Sequence, residues 1–191
     1  MAKGDDENSQ RLYSEVPGRR YNQGVIEDRV IAVAREVPYT LFVNDREILS
    51  IATLPTHLKE LFVGFLVSEG VLLSPDEIVE VAVDHGSKLV RMELSAPRER
   101  LERVEKKGML TSGCAGGLVF SVETAARPQE KREVSREGAS FTVPASAVLK
   151  RMQELDTYRG IYSVTRGVHA ASVCDLSQTL VILEDLGRHN A

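Results

Sequence analysis

The sequence predicts an α/β or α+β domain with a mixed sheet. Runs of β-branched and apolar residues alternate with segments of helical periodicity, and turn-forming residues separate the two kinds of segment. The 191 residues are enough to bury a substantial core. The net charge of −4 does not indicate a nucleic-acid partner, and no stretch approaches the ~20 apolar residues of a membrane span.

The first predicted elements are a tail and a group of antiparallel strands. Residues 1–24 are polar and carry no period, so we expect a flexible tail with ordered structure beginning after it. Branched residues then predict a strand over residues 29–36. They also predict a hairpin over residues 39–53 that turns at residues 44–45.

A helix is expected after this hairpin. Apolar residues recur at three- and four-residue spacing between Thr56, the expected N-cap, and Gly70, the expected glycine after the helix. Ser74, followed by a proline and two acidic residues, predicts the start of a short helix. The β-rich runs over residues 79–84 and 88–94 predict a second hairpin.

The rest of the chain alternates charged segments with a helix and two strands. Residues 97–107 predict a charged surface helix or turn, and residues 127–138 predict an exposed loop. Apolar spacing predicts a helix over residues 144–155, and β-rich runs predict strands over residues 168–174 and 179–183. We divide the chain into a tail over residues 1–24, an N-terminal α+β portion over residues 25–110 and an α/β core over residues 111–191.

A glycine-rich loop carries the first candidate for chemistry. Residues 111–117 place Cys114 among three glycines, which offer no side chain for core packing. Such a loop exposes its thiol, and its backbone N–H groups can stabilise the thiolate that is the nucleophile in sulfur transfer. The alternative is a small, buried and inert cysteine in an ordinary turn. The loop by itself leaves both interpretations open.

The second cysteine, Cys174, ends a run of small and β-branched residues. This run indicates an inner strand, so we expect Cys174 to pack in the core. Two cysteines are too few for the disulfide framework of a secreted protein, and they indicate a reducing compartment. We therefore expect a cytoplasmic protein.

Two polar segments lie at the ends of the last predicted strands. His169, within residues 165–171, fits an acid–base group, a phosphate ligand or a structural histidine. Residues 184–190 follow an apolar strand, and ligands of open α/β sheets bind at the carboxyl ends of strands. Arg188 and His189 would suit a phosphate, and a helix beginning there would add its dipole. The alternative is a plain strand-to-helix turn.

No metal site is predicted. A zinc deaminase needs a His-x-Glu element and a Pro-Cys-x-x-Cys element, whereas two alanines follow His169 and neither cysteine belongs to a Cys-x-x-Cys pair. The four histidines show no metal-ligand spacing. A P-loop and a Rossmann glycine motif are absent from the sequence, which leaves a less usual nucleotide site open.

Four segments together resemble the formate dehydrogenase accessory sulfurtransferase family, the FdhD type. They are residues 36–44, residues 52–70, the Cys114 loop, and residues 165–190 with the motifs Gly-Val-His-Ala-Ala and Glu-Asp-Leu-Gly-Arg-His-Asn. The resemblance implies a cytidine-deaminase-like core without zinc chemistry and with an N-terminal β-rich portion. It also implies a homodimer that takes sulfur from a cysteine desulfurase. The sulfur passes to the molybdenum or tungsten bis-guanine-dinucleotide cofactor of formate dehydrogenase.

By the same resemblance, Cys114 carries the sulfur as a persulfide. The residues expected to bind the guanine-dinucleotide cofactor are Thr165, Gly167, His169, Asp185, Gly187, Arg188, His189 and Asn190. The alternative function is a chaperone that binds and delivers this cofactor without covalent sulfur transfer.

The sequence departs from the family pattern at three places. Gly117 stands where many members have a second cysteine, so a disulfide cannot form within the loop, although one persulfide on Cys114 is chemically sufficient. Arg166 replaces the first glycine of the usual Thr-Gly-Gly. The sequence stops at Ala191, where members continue, so we expect the C-terminal part of the family fold to be missing.

Overall fold

The computed structural model describes residues 11–95, 97, 100, 109–110 and 142–191. The elements in chain order are β1 (Tyr13–Asn22), β2 (Val25–Ala34), β3 (Val37–Val43), β4 (Arg46–Thr53), α1 (Leu58–Ser68), a 3₁₀ helix (Pro75–Glu77), β5 (Ile78–Asp84), β6 (Leu89–Leu94), β7 (Met109–Leu110), α2 (Ala145–Thr157), α3 (Ile161–Thr165), β8 (His169–Cys174) and β9 (Thr179–Asp185). Cys114, the predicted loop over residues 127–138 and most of residues 97–107 lie outside the described residues.

The largest sheet is mixed, which confirms the predicted fold class. Its five strands lie in the order β5-β6-β3-β4-β7. The hairpin partners β3 and β4 pair antiparallel, as do β5 and β6. Parallel pairing joins β3 to β6 and β4 to β7. The strand β4, from which the functional site is built, is therefore an inner strand of this sheet.

The hairpin of β3 and β4 forms where the sequence predicts it. Asn44 and Asp45 both take positive φ, at 48° and 62°, as a two-residue turn that matches the twist of its strands requires. The side chain of Asn44 also bonds the backbone of Leu94 in both directions, at 2.9 Å and 2.8 Å. The turn therefore fixes the end of β6 as well as its own strands.

The main core lies between the five-stranded sheet and α1. Leu58, Phe62 and Leu66 recur every four residues and are buried, so one stripe of α1 faces the strands. Tyr39 and Leu41 on β3 are fully buried beneath them. Burial of a side chain such as Phe62 contributes about 1.5–3 kcal/mol.

The two ends of α1 differ in how well they match the prediction. Gly70 has φ +69°, and the backbone N–H groups of Gly70 and Val71 donate to Val67 and Leu66 in the pattern of a Schellman motif. The predicted glycine stop is confirmed. The predicted N-cap at Thr56 is wrong, because His57 occupies the cap position at φ 50° and makes no side-chain capping bond.

The short helix predicted at Ser74 is confirmed as the 3₁₀ helix. The Ser74 hydroxyl accepts from the Asp76 N–H at 3.3 Å. Arg100 then pairs with Glu77 at 2.5 Å and donates to the carbonyl oxygen of Val71 at 3.0 Å. The hydrogen bond from the Arg100 guanidinium lowers the pKa of Glu77 to about 2, so the pair stays ionised at neutral pH.

The prediction of a flexible tail over residues 1–24 is wrong for residues 13–22. They form β1, which pairs with β2 along its whole length through a tight turn at Gln23 and Gly24. The sequence does not predict this strand, because most of its side chains are polar and it contains Pro17-Gly18. Because β1 has β2 as its one described partner, it tolerates a proline, and Gly18 leaves room for the Ile31 side chain.

The C-terminal part carries α2 and the hairpin of β8 and β9, as the sequence predicts. α2 packs against both strands. α3 is an addition that the local sequence does not predict. Its first two amides, those of Ile161 and Tyr162, donate to the Glu184 carboxylate at 2.6 Å and 2.9 Å. A side chain distant in sequence thus supplies the cap of α3.

Cys174 does not pack in a core, so that prediction is wrong. In the described part of the chain β8 pairs with β9 alone, and this hairpin is largely exposed. Cys174 is half-buried, and the neighbouring Val173 is 59% exposed. Small and branched residues are equally compatible with an exposed two-stranded ribbon, which is why the sequence pattern misleads here.

Candidate functional site

Antiparallel pairing brings the two predicted polar segments together. His169 begins β8 and lies opposite Asp185, which ends β9. Residues 165–168, before β8, and residues 186–190, after β9, therefore leave the hairpin at the same end. The two predicted candidate segments therefore form one region of the surface.

Asp185 is the buried centre of this region, with 4% of its surface exposed. One carboxylate oxygen accepts from the Thr53 hydroxyl and from the Leu54 N–H at 3.2 Å. The other accepts from the Gly187 N–H at 3.2 Å and the Asn190 side-chain amide at 3.1 Å. Four donors surround the group, as a buried carboxylate requires. Asp185 thereby ties the end of β9 to the end of β4.

The segment after β9 is a hydrogen-bonded turn held against β4. The N–H groups of Asn190 and Ala191 donate to the Gly187 carbonyl oxygen at 2.9 Å and 3.2 Å. The Asn190 amide also donates to the carbonyl oxygen of Ala52 at 3.3 Å. Gly187 is buried, and a Cβ there would lie 3.1–3.2 Å from the Asn190 side chain. The turn therefore has little freedom to move away from the strand.

Arg188 and His189 are the exposed residues of this turn. Within the part of the chain that the structure describes, no side-chain hydrogen bond or ion pair engages either of them. A guanidinium and an imidazole on a fixed turn can bind a phosphate, the guanidinium in a bidentate manner. The residues that anchor the turn and the residues that face solvent are thus different members of the same short segment.

The segment before β8 is organised by Thr165. Its hydroxyl donates to the Ile161 carbonyl oxygen at 3.0 Å and accepts from the Gly167 N–H at 3.2 Å. Arg166 has φ 55°, a left-handed conformation that favours glycine. Its guanidinium lies 5.0 Å from the centre of the Tyr162 ring. His169 is exposed beside this turn.

The sequence does not predict that Ala52 and Thr53 belong to the site, nor that Glu184, which lies in the predicted segment of residues 184–190, caps α3. Thr53 and Ala52 contact residues more than 130 positions away, and Glu184 caps α3 across 22–23 positions. The signal for Thr53 was a hydroxyl residue at the end of an apolar, buried strand, where a side chain without a partner would be costly. No local signal indicates that Glu184 caps α3.

A groove of about 530 Å³ opens beside the start of α1, separate from the residues predicted for the site. His57, Lys59 and His85 border it. A hydrogen bond of 2.8 Å joins His85 Nδ1 to the buried Tyr39 hydroxyl. Burial raises the pKa of Tyr39 above the usual value for a phenol. The described residues contain no group of three or more side chains arranged to hold a metal ion.

Among the helices of the described residues, none is long and apolar enough to cross a bilayer.

Two curated proteins of the same name are similar to this chain in sequence. The Sulfur carrier protein FdhD of Bacillus subtilis (strain 168) is 31% identical over 175 residues, which cover 90% of this chain and 64% of the relative. The protein of the same name from Staphylococcus aureus (strain Newman) is 30% identical over 172 residues, covering 90% of this chain and 63% of the relative.

A solved structure has the same fold. It is described as that of a formate dehydrogenase accessory protein from Desulfotalea psychrophila, with a TM-score of 0.65 and 22% sequence identity. The match covers 94% of this chain and 63% of that chain. At this level of identity the likeness concerns the fold alone.

The fold and the site define a mixed α/β domain in which a buried carboxylate fixes an exposed cationic turn at the end of a strand. The chain belongs to the FdhD/NarQ family, whose model matches residues 34–191. It spans just under two thirds of the length of the curated relatives named above. The predicted family is thereby confirmed.

Proposed function

We propose that this chain carries sulfur for the maturation of formate dehydrogenase. The observation that carries the proposal is the anchored turn of residues 187–190, which holds Arg188 and His189 out to solvent beside His169. Membership of the FdhD/NarQ family and the names of the relatives support the sulfur-carrier role. The turn would bind the phosphates of a molybdenum or tungsten bis-guanine-dinucleotide cofactor, which is the substrate of the carrier.

Cys114 is the proposed carrier atom. Its thiolate attacks the terminal sulfur of a persulfide on a cysteine desulfurase, and the sulfur–sulfur bond of the donor breaks. The desulfurase leaves as a thiolate and Cys114 becomes the persulfide, so this exchange involves no net oxidation or reduction. Delivery of that sulfur as sulfide to the substrate metal consumes two electrons, which an external thiol supplies. This thiol attacks the inner sulfur of the persulfide, forms a mixed disulfide with Cys114 and releases the outer sulfur as sulfide, and a second thiol then restores the Cys114 thiol.

The remaining proposed site residues position the nucleotide. Thr165 and Gly167 shape the turn before β8, and His169 borders the same surface. Asp185, Gly187 and Asn190 fix the turn after β9 through hydrogen bonds to one another. The direct contacts to phosphate are therefore assigned to Arg188 and His189. A homodimer in the cytoplasm is the expected setting.

Transfer of radiolabelled sulfur tests the proposal. The wild-type chain is incubated with a cysteine desulfurase and cysteine labelled in its sulfur, and the Cys114→Ala and Cys174→Ala variants are treated alike. We expect label on the wild type and on Cys174→Ala, and none on Cys114→Ala. Equal labelling of Cys114→Ala would remove the proposed carrier.

The second candidate is a chaperone that delivers the cofactor without covalent chemistry. Gly117, which stands where many members have a second cysteine, favours it because a two-thiol relay cannot operate within that loop. This function predicts that Cys114→Ala still binds GDP, used as a probe for the cofactor, and fully activates formate dehydrogenase. Loss of activation with retained GDP binding would favour sulfur transfer instead.

A further inference from the structure

Thr53 ends β4 and is fully buried, although it is polar. Its hydroxyl donates to Asp185, which lies 132 positions further along the chain. The N–H of the next residue, Leu54, donates to the same carboxylate oxygen at 3.2 Å. Both donors approach from β4, so the end of one strand of the large sheet fixes a residue of the β8–β9 hairpin.

The other carboxylate oxygen of Asp185, Oδ1, faces the turn of residues 187–190. It accepts from the Gly187 N–H and from the Asn190 side chain at 3.2 Å and 3.1 Å. A carboxylate is planar, so the two donors from β4 also set the direction in which this second oxygen points. Thr53 therefore acts on the turn through Asp185 without contacting Arg188 or His189.

We propose that Thr53 is a positioning residue for the anion-binding turn. This inference rests on the proposed function, in which Arg188 and His189 bind the phosphates of a guanine-dinucleotide substrate. The hydroxyl holds Asp185 in the orientation that keeps residues 187–190 closed on β4. Loss of the hydroxyl lowers the fraction of molecules in which residues 187–190 are closed on β4. Phosphate binding is then weaker, because the ligand binds only the closed form.

Two substitutions separate this role from simple core packing. Thr53→Val has nearly the same shape as threonine but no hydroxyl, and it leaves one side of Asp185 with the Leu54 N–H alone. Thr53→Ser keeps the hydroxyl and removes a methyl group. A packing role makes serine the worse replacement, whereas a positioning role makes valine the worse one.

The experiment measures hydrogen exchange and GDP affinity on the full chain under native conditions. Exchange of the Gly187 and Asn190 amides is compared with that of Leu41, a buried residue of β3 that reports global opening. For Thr53→Val we expect exchange at the turn to rise about tenfold, which is the size of one lost charge-assisted hydrogen bond. The Kd for GDP should rise by a smaller factor, because it scales with the fraction of molecules whose turn is ordered and that fraction is high in the wild type. For Thr53→Ser we expect both to stay within about twofold of the wild type.

The outcomes are distinguishable from those of the proposed function. The positioning role is overturned if the amides of the turn exchange in Thr53→Val at the wild-type rate. It is also overturned if Thr53→Ser raises their exchange rate more than Thr53→Val does. Failure of the wild-type chain to bind GDP overturns the proposed nucleotide site instead. The exchange rates, which are measured without GDP, then show whether Thr53 positions the turn. Faster exchange of the Gly187 and Asn190 amides in Thr53→Val, with the exchange rate of Leu41 unchanged, supports the inference.

Discussion

The Asn190 side-chain amide lies 3.1 Å from Asp185 Oδ1, and the same nitrogen lies 3.3 Å from the carbonyl oxygen of Ala52. Asn190 thus bridges the buried carboxylate at the end of β9 and the backbone of β4. Arg188 and His189 stand on the turn that this bridge closes. The exposed cations of the site consequently depend on contacts made by their buried neighbours.

We predict that Asp185→Asn destabilises the protein by about 1–3 kcal/mol. Whichever way the new amide turns, its NH₂ group faces a backbone N–H, that of Leu54 or that of Gly187. Urea unfolding at neutral pH measures the loss. Asp28→Asn is the matched control, because its side chain is 88% exposed and its substitution should cost less than about 0.5 kcal/mol. Equal stability of the two variants would show that Asp185 does not hold the turn.

Gly64, inside α1, and Gly70, just after its end, form a matched pair. Gly70 has φ +69°, so Gly70→Ala should destabilise the protein by about 1–2 kcal/mol. Gly64 lies in the helix with open space around it, so Gly64→Ala should stabilise by about 0.5–1 kcal/mol. Thermal unfolding of both variants checks the prediction. Shifts of the same sign would contradict the left-handed stop at Gly70.

Gly160 and Glu184 should show coupled effects on stability. A Cβ at Gly160 would overlap Glu184 Oε2, so Gly160→Ala displaces the carboxylate that caps α3. Glu184→Ala removes the same cap, and each change should cost about 0.5–2 kcal/mol. In a double-mutant cycle the combined loss should fall short of the sum. Strict additivity would mean that the two residues do not act on the same cap.

The Glu77–Arg100 pair predicts a dependence of stability on pH. The pKa of Glu77 is lowered from 4.5 to about 2 in the folded chain, so its contribution is complete above pH 4.5. Stability should fall as the pH drops from about 4.5 toward 2, because the unfolded chain takes up the proton first. Urea unfolding across this range should show a shallower fall for Glu77→Gln. Glu80→Gln, an exposed change on β5, should keep the wild-type slope.

Local signals explain which parts of the fold could be predicted. The turn at Asn44 and Asp45 and the stop at Gly70 each depend on the conformational preference of one or two residues. β1 was missed because its strand character comes from pairing with β2, and Pro17-Gly18 reads as a break. α3 was missed because its cap, Glu184, is remote in sequence.

The sequence predicts the polar residues at the end of β9 and after it, Asp185, Gly187 and Asn190 included, but not their contacts with the end of β4. Arg188 and His189 were found because cations after an apolar strand indicate a ligand. Thr53 was not, because its partner lies 132 positions away and a single buried threonine is compatible with any strand end. The assignment of Asp185 as a cofactor-binding residue remains a prediction, and the structure gives it four protein donors.

Mass spectrometry of the intact chain after treatment with a cysteine desulfurase and cysteine tests the central claim most directly. The account predicts a mass gain of one sulfur atom, located by digestion to the peptide that contains Cys114 and removed by a thiol reductant. Cys174→Ala should gain the same mass. A sulfur found on Cys174 alone, or no gain while the desulfurase itself is persulfidated, would contradict the proposed sulfur carrier.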